Sequence, residues 1–433
     1  MHSGGAMKKD LEIQGLDANT TFEHAASVMI LDRLDNMLAH EPGVRQGEDI
    51  EELHDMRVYS RRLREALRIF KPCFPKKEYK SVYARVRDVT RALGEVRNLD
   101  VFISYFRAFK EVGEPDASCA RAADALISWA EKQRDALRDD MIKSLDKLDT
   151  ACLAQDVRAM AAAAQPEEPK ALLLRFAAEG LPVAQAGGPG SGVQNAELVM
   201  VRPGQPGFPE AAARELMARG CIRPREYKEY RDVARGVGAP AQDQELPLLI
   251  GDPAAEYAKR IIPARFAVVA RMWREAMLRR DNPDIAALHA LRISFKKLRY
   301  AFEILYVAFE EEKRDAVYAR MKHFQDILGD LHDADVFYEL GCGKMKSAVK
   351  KDKMPSALGY ALLAHRLRLR RDELAAEFCR VADEYPLESL QQELWAAFHA
   401  AYAPPAPAPE LYAAEDMQTQ EAPDDEDTDG DDQ

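Results

Sequence analysis

The chain has 433 residues, 47% of them hydrophobic, 31% charged and 8% aromatic, and at roughly 150 residues per domain it is long enough for two or three domains with a sizeable core. That excludes a peptide or a disulfide-stapled scaffold, and the Ala-, Leu-, Arg- and Glu-rich composition with few β-branched runs is that of a helical protein. The net charge of −12 would oppose a polyanionic partner if it were evenly spread, but ten acids and no Lys or Arg fall from Ala414 onward, and subtracting them leaves −2 for the rest.

The six cysteines (Cys73, Cys119, Cys152, Cys221, Cys342, Cys379) lie far apart, with no CxxC pair and no His at zinc-finger spacing. They read as buried thiols in a reducing compartment, with neither a disulfide framework nor a metal site. No stretch approaches the roughly 20 uncharged apolar residues that cross a bilayer, and the start has no apolar leader. No membrane partner and a cytoplasmic address are therefore expected.

In chain order, helical periodicity predicts helices over 20–40, 50–71, 76–95, 98–113 and 117–148, and again over 253–280, 284–307, 311–330, 333–348, 355–384 and 387–402. Pro42-Gly43, Pro72, Pro75, Pro115, Pro283 and Pro355 stand at the breaks, where proline cannot continue a helix. Between the two series, 182–209 is Gly/Pro-rich and reads as a linker, flanked by short helices at 170–180 and 209–219. No strand-turn-strand pattern stands out.

The two series repeat. Residues 53–102 align without a gap onto 288–337 at a constant offset of 235, with 17 of 50 positions identical, among them His54/His289, Arg57/Arg292, Arg64/Arg299, Tyr83/Tyr318, Gly94/Gly329 and Asp100/Asp335. The expected division is therefore an N-terminal extension (1–19), a first helical bundle (20–165), an inter-repeat segment (166–252), a second bundle (253–403) and a disordered acidic tail (404–433). The tail is a solubilising segment or an internal competitor for a basic site.

On a helical wheel His54, Arg57, Arg61, Arg64 and Arg68 form one stripe beside the apolar Leu53, Met56, Leu63, Leu67 and Phe70. His289, Arg292, Lys296 and Arg299 form the same stripe in the second copy, with Lys297 alongside and Glu303 in place of Arg68. Few acids stand at i±3 or i±4 to neutralise these cations as they would on an ordinary solvated face. A polyanion with about one charge per phosphate would relieve the repulsion, each Arg fork gripping two oxygens.

The pattern His-x-x-Arg-x-x-x-(Arg/Lys)-(Arg/Lys)-Leu-Arg, followed by Leu-Gly and Asp-Val-Phe, resembles in both copies the conserved histidine α-helical domain, or CHAD, family, over roughly 20–385. The resemblance implies an all-α fold of two four-helix-type bundles related by a pseudo-twofold axis, with a basic surface or channel between them. It also implies binding of inorganic polyphosphate, and with it a place at or near polyphosphate granules. The implied contacts are His54, Arg57, Arg61, Arg62 and Arg64 with His289, Arg292, Lys296, Lys297 and Arg299. Arg85, Arg87, Arg320 and Lys322 are further candidates from the next helices. Arg68 is a weaker candidate, as are Lys132, Arg134, Arg138, Arg366, Arg368 and Arg370, the last six because solvated faces explain them equally well. Asp100 and Asp335 read as helix-start caps or partners of a nearby Arg, because a carboxylate repels phosphate.

No catalytic residue and no cofactor are expected: the ExExK signature of the triphosphatase domain that accompanies some family members is missing. Two readings compete. Nucleic-acid binding shares the electrostatics but lacks interleaved aromatics on the stripe. An HD-type metal phosphohydrolase is suggested by His54-Asp55 and His332-Asp333, yet their counterparts are Ala290 and Arg97, so neither dipeptide repeats. A scaffold role is compatible with polyphosphate binding.

Overall fold

A computed structural model describes residues 12–112, 116–162, 173, 181–185, 197–218, 222, 227–237, 253–280 and 283–399. The expected acidic tail, the helix over 170–180 and most of the N-terminal extension lie outside the described residues.

The described chain is helical almost throughout. The first series comprises α1 (Phe22–Ala39), α2 (Glu41–Gln46), α3 (Ile50–Ile69), α4 (Lys76–Val112), α5 (Ala117–Leu148) and α6 (Thr150–Ala162). An antiparallel pair, β1 (Leu181–Gln185) and β2 (Glu197–Val201), then precedes α7 (Phe208–Ala218) and α8 (Tyr227–Val237). The second series is α9 (Ala254–Met277), α10 (Ile285–Ile304), α11 (Glu311–Lys350), α12 (Met354–Glu384) and α13 (Leu387–Ala396).

Local chemistry sets the matching boundaries. Asp49 caps α3 by accepting from the Glu51 N–H at 2.8 Å, and Asp284, 235 residues on, caps α10 through Ala286 at 3.0 Å. A carboxylate at this position satisfies one of the orphan N–H groups of the first turn. Both helices run into a 3-10 turn, Lys71–Cys73 and Tyr306–Ala308, and the next helices begin at Lys76 and Glu311, still at the same offset.

Three expectations about local structure are corrected. The helices expected at 76–95 and 98–113 are one helix of 37 residues, and those at 311–330 and 333–348 are one of 40. Gly94 and Gly329, beside the expected breaks, are helix-interior glycines. The cost of about 1 kcal/mol for such a glycine is offset where neighbours such as Leu93 and Val96 are buried. The Gly/Pro-rich stretch holds the hairpin β1–β2 instead of a plain linker, with Leu181 opposite Val201 and Gln185 opposite Glu197. Pro42-Gly43 lies inside α2, where Pro42 sits in the first turn and needs no N–H partner.

The main hydrophobic core draws on both series, from Met29, Leu34 and Leu63 to Trp273, Phe295 and Phe324. Aromatic residues at the same register position meet: Phe22 stacks on Tyr257, and Phe102 meets Phe337 edge to face. Phe102 and Phe337 belong to a second cluster, with Phe106, Leu126, Leu363 and Leu367, where α4 and α5 pack on α11 and α12. There Gly359 of α12 lies so close to α5 that an added Cβ would sit 2.7 Å from the Ser118 carbonyl oxygen. The inter-repeat segment has its own small core of Leu173, Leu181, Phe208, Leu216 and Tyr230.

Candidate functional site

The basic stripe divides along its length. In its N-terminal half His54, Arg57 and Arg61 on α3, and His289, Arg292 and Lys296 on α10, are half-buried. The Arg57 guanidinium lies over Gly94, with Nε and Nη2 3.7 Å from where a Cβ would stand. His289 Nδ1 is 3.1 Å from His332 Nδ1 on α11. One ring donates the proton and the other accepts it, so the pair shares a single Nδ1–H.

The C-terminal half is committed to the fold. Arg64 is 4% exposed. Arg68 donates from Nε to Tyr83 Oη at 2.7 Å and from Nη1 to the buried Glu65 at 2.8 Å. Arg299 donates from Nη1 to Glu303 Oε1 at 2.7 Å and to Tyr318 Oη at 3.1 Å, and from Nε to Gln325. Burial opposes the charge of Arg299, but the Glu303 carboxylate and Tyr318 outweigh it and hold its pKa above the ordinary value. The few acids expected at i±3 or i±4 include Glu65 and Glu303, and these two hold Arg68 and Arg299.

Three candidates on α4 and α5 are occupied elsewhere in the fold. Arg85 bonds Asp156 at 2.5 Å and the carbonyls of Leu148 and Asp149 at 3.1 Å each, closing the C-terminus of α5. Arg138 does the same for α2 through the carbonyls of Val44 and Arg45. Arg134 lies 3.6 Å from Asp100. Arg320 of α11 pairs with Glu393 at 3.0 Å and lies over Tyr385, Arg87 bonds its neighbour Asp88, and Arg370 is 3.5 Å from Glu373. Lys132, Arg368 and Lys322 are exposed and Lys297 is half-buried; among the described residues none of the four forms an ion pair. Arg366 is half-buried near Asp116.

Asp100 and Asp335 stand in the middle of α4 and α11, which overturns the cap reading and leaves the other: each partners an Arg. Asp335 accepts from Arg371 at 2.9 Å, the counterpart of Asp100 with Arg134. Arg371 was not a candidate in the sequence because α12 begins 237 residues after α5, two more than the ungapped offset. Burial raises the Asp100 carboxyl pKa against the pull of Arg134 and Arg97.

Arg97 is the second residue that sequence reasoning passed over, although the register had already matched it to His332. It sits on α4 beside His54, half-buried, and forms no ion pair among the described residues. Burial lowers the His54 pKa, and Arg97 lowers it further, against Glu51 and Asp55. The first copy thus combines His54, Arg57 and Arg97. The second combines His289, Arg292 and His332 with Asp333, whose carboxyl pKa burial raises to about 6 against the pull of Arg292 and with help from Asp330.

No group of three or more His, Cys, Asp or Glu among the described residues is placed to hold a metal ion, and no described helix is long and apolar enough to cross a membrane.

No curated protein matches the chain. Among solved structures, the CHAD domain from the plant Ricinus communis aligns with a TM-score of 0.50 at 18% identity, covering 91% of this chain and 97% of that one. PptA from Streptomyces chartreusis aligns with a TM-score of 0.44 at 12% identity, covering 83% and 99%. The family model for the CHAD domain matches residues 28–186 and 210–341, across both copies of the repeat. The all-α architecture and this match together make the chain a member of the CHAD domain family.

Proposed function

We propose that the protein binds inorganic polyphosphate, without hydrolysing it, through the N-terminal halves of the two stripes and the residues that face them from α4 and α11. The observation that carries this reading is the repeated His–Arg pair, His54/Arg57 and His289/Arg292, set at one register in both copies and only half-buried. Membership of the CHAD family, which is linked to polyphosphate binding, supports it. Contact between register-equivalent residues, Phe22 with Tyr257 and Phe102 with Phe337, supports a two-fold relation that would turn the stripes toward a shared ligand.

The contacts assigned to the ligand are His54, Arg57, Arg61 and Arg97 from the first copy and His289, Arg292, Lys296 and Lys297 from the second, with Arg62 between them. Arg64, Arg68, Arg85, Arg138 and Arg299 hold the fold. Cytoplasmic residence at polyphosphate granules follows from the same reading.

Charge reversal tests it. Arg57→Glu with Arg292→Glu should weaken binding of long-chain polyphosphate at least tenfold more than Lys350→Glu with Lys351→Glu, an exposed pair at the far end of α11. Equal losses would mean that net charge alone governs binding. Phosphate release from the same mixtures would contradict the non-hydrolytic reading.

A further inference from the structure

Glu303 is 2% exposed and stands at the last turn of α10, at the position that Arg68 holds in the first copy. Its Oε1 accepts from Arg299 at 2.7 Å and from Tyr318 Oη at 3.1 Å. Its Oε2 is 3.8 Å from Nε of Arg62 on α3. The buried Arg33 of α1 also lies in its field, beside Asp32 at 2.6 Å.

The first copy arranges the same groups differently. There Arg68 reaches Tyr83, and the carboxylate is Glu65, whose counterpart in the second copy is Tyr300. Glu65 serves its own helix. Glu303 is the carboxylate that a cation of each copy approaches, Arg62 from the first and Arg299 from the second. The Nε of Arg62 is buried and makes no hydrogen bond, so an ion pair and the Tyr59 ring, 5.3 Å from its guanidinium, are what hold it. A carboxylate so placed in a low-dielectric contact is costly to leave unpaired and fixes its partners closely.

We infer that Glu303 is a positioning residue for polyanion binding: it pins Arg62 of the first copy against Arg299 of the second and so sets the spacing between the two basic stripes. The inference rests on the polyphosphate reading. It makes a prediction of unusual sign. Removing a negative charge near an anion site should tighten binding if only charge matters, whereas losing the pin should weaken binding of any anion that must span both stripes.

The test uses the full chain with long-chain polyphosphate and tripolyphosphate as probes. Glu303→Gln should weaken long-chain binding about tenfold and leave tripolyphosphate, which engages one stripe, unchanged. Tyr318→Phe, which removes one bond to the carboxylate and keeps the ring, should act in the same direction by about two- to threefold. A merely structural role would lower the unfolding midpoint without altering the ratio between long and short chains. That result, or tighter binding of both probes, overturns the inference. If the wild-type protein bound neither probe, the polyphosphate reading itself would fall, and urea unfolding of Arg62→Gln, Glu303→Gln and the double variant would decide the link between the copies. Midpoint losses that do not sum support it, and strict additivity overturns it.

Discussion

Phe102 of α4 and Phe337 of α11 occupy the same register position and meet edge to face, with ring centroids 5.2 Å apart. Each fills space beside its own counterpart, so the contact ties the two copies together away from the core where Phe22 stacks on Tyr257 at 3.7 Å. Phe102→Ala or Phe337→Ala should each cost about 3–5 kcal/mol of stability, by lost burial and the cavity left behind. The double variant should lose less than the sum, because the singles already remove the shared contact. Urea unfolding of the three variants measures this, and additive losses would show that the rings do not support each other.

His54 links protonation to both stability and binding. Its folded-state pKa is lowered by burial and by Arg97, so the unfolded chain takes up the proton first as pH falls below about 6.5. The contribution of this site to stability is therefore complete above that pH and is lost as pH falls toward the folded value. A bound polyanion reverses the field and favours imidazolium. Affinity for polyphosphate should strengthen from pH 7.5 to 6, and His54→Gln should flatten part of that slope. NMR titration in the bound state that finds no upward shift at His54 would remove it from the site.

Asp333 has the opposite linkage. Burial raises its carboxyl to about 6 from 3.8, so the stability it contributes is present at low pH and is lost as pH rises through about 6. Asp333→Asn restores the residue type of Asn98 in the first copy. It should stabilise the protein by ~1–2 kcal/mol at pH 7.5, allowing for partial solvent screening, and the gain should fade below pH 5. It should also tighten polyphosphate binding at pH 7.5, because a negative charge beside Arg292 is removed. Calorimetric midpoints and binding titrations at the two pH values check both effects.

The helices and their repeat were legible because residues 53–102 align without a gap onto 288–337, and the fold keeps that offset in the caps Asp49 and Asp284 and in the 3-10 turns that follow α3 and α10. The long α4 and α11 were not: each is divided in two in the sequence reading, near the helix-interior Gly94 and Gly329. Half of the stripe was misjudged for a related reason. Glu65 and Glu303 are single acids among many cations, and only burial shows that each holds its Arg, Arg68 with Tyr83 and Arg299 with Tyr318, inside the fold. Arg97 and Arg371 were hidden by register: one aligns with a His, His332, in the other copy, and the other lies beyond a two-residue slip.

Titration of the full chain at matched ionic strength with long-chain polyphosphate, single-stranded DNA of equal charge and ATP tests the polyphosphate site most directly. The stripes offer closely spaced cations from two helices, so long polyphosphate should bind at least a hundredfold tighter than ATP and clearly tighter than DNA. Its affinity should fall steeply with salt as counterions are released. DNA binding equal to or stronger than polyphosphate, or a salt-independent affinity, would contradict the polyphosphate reading.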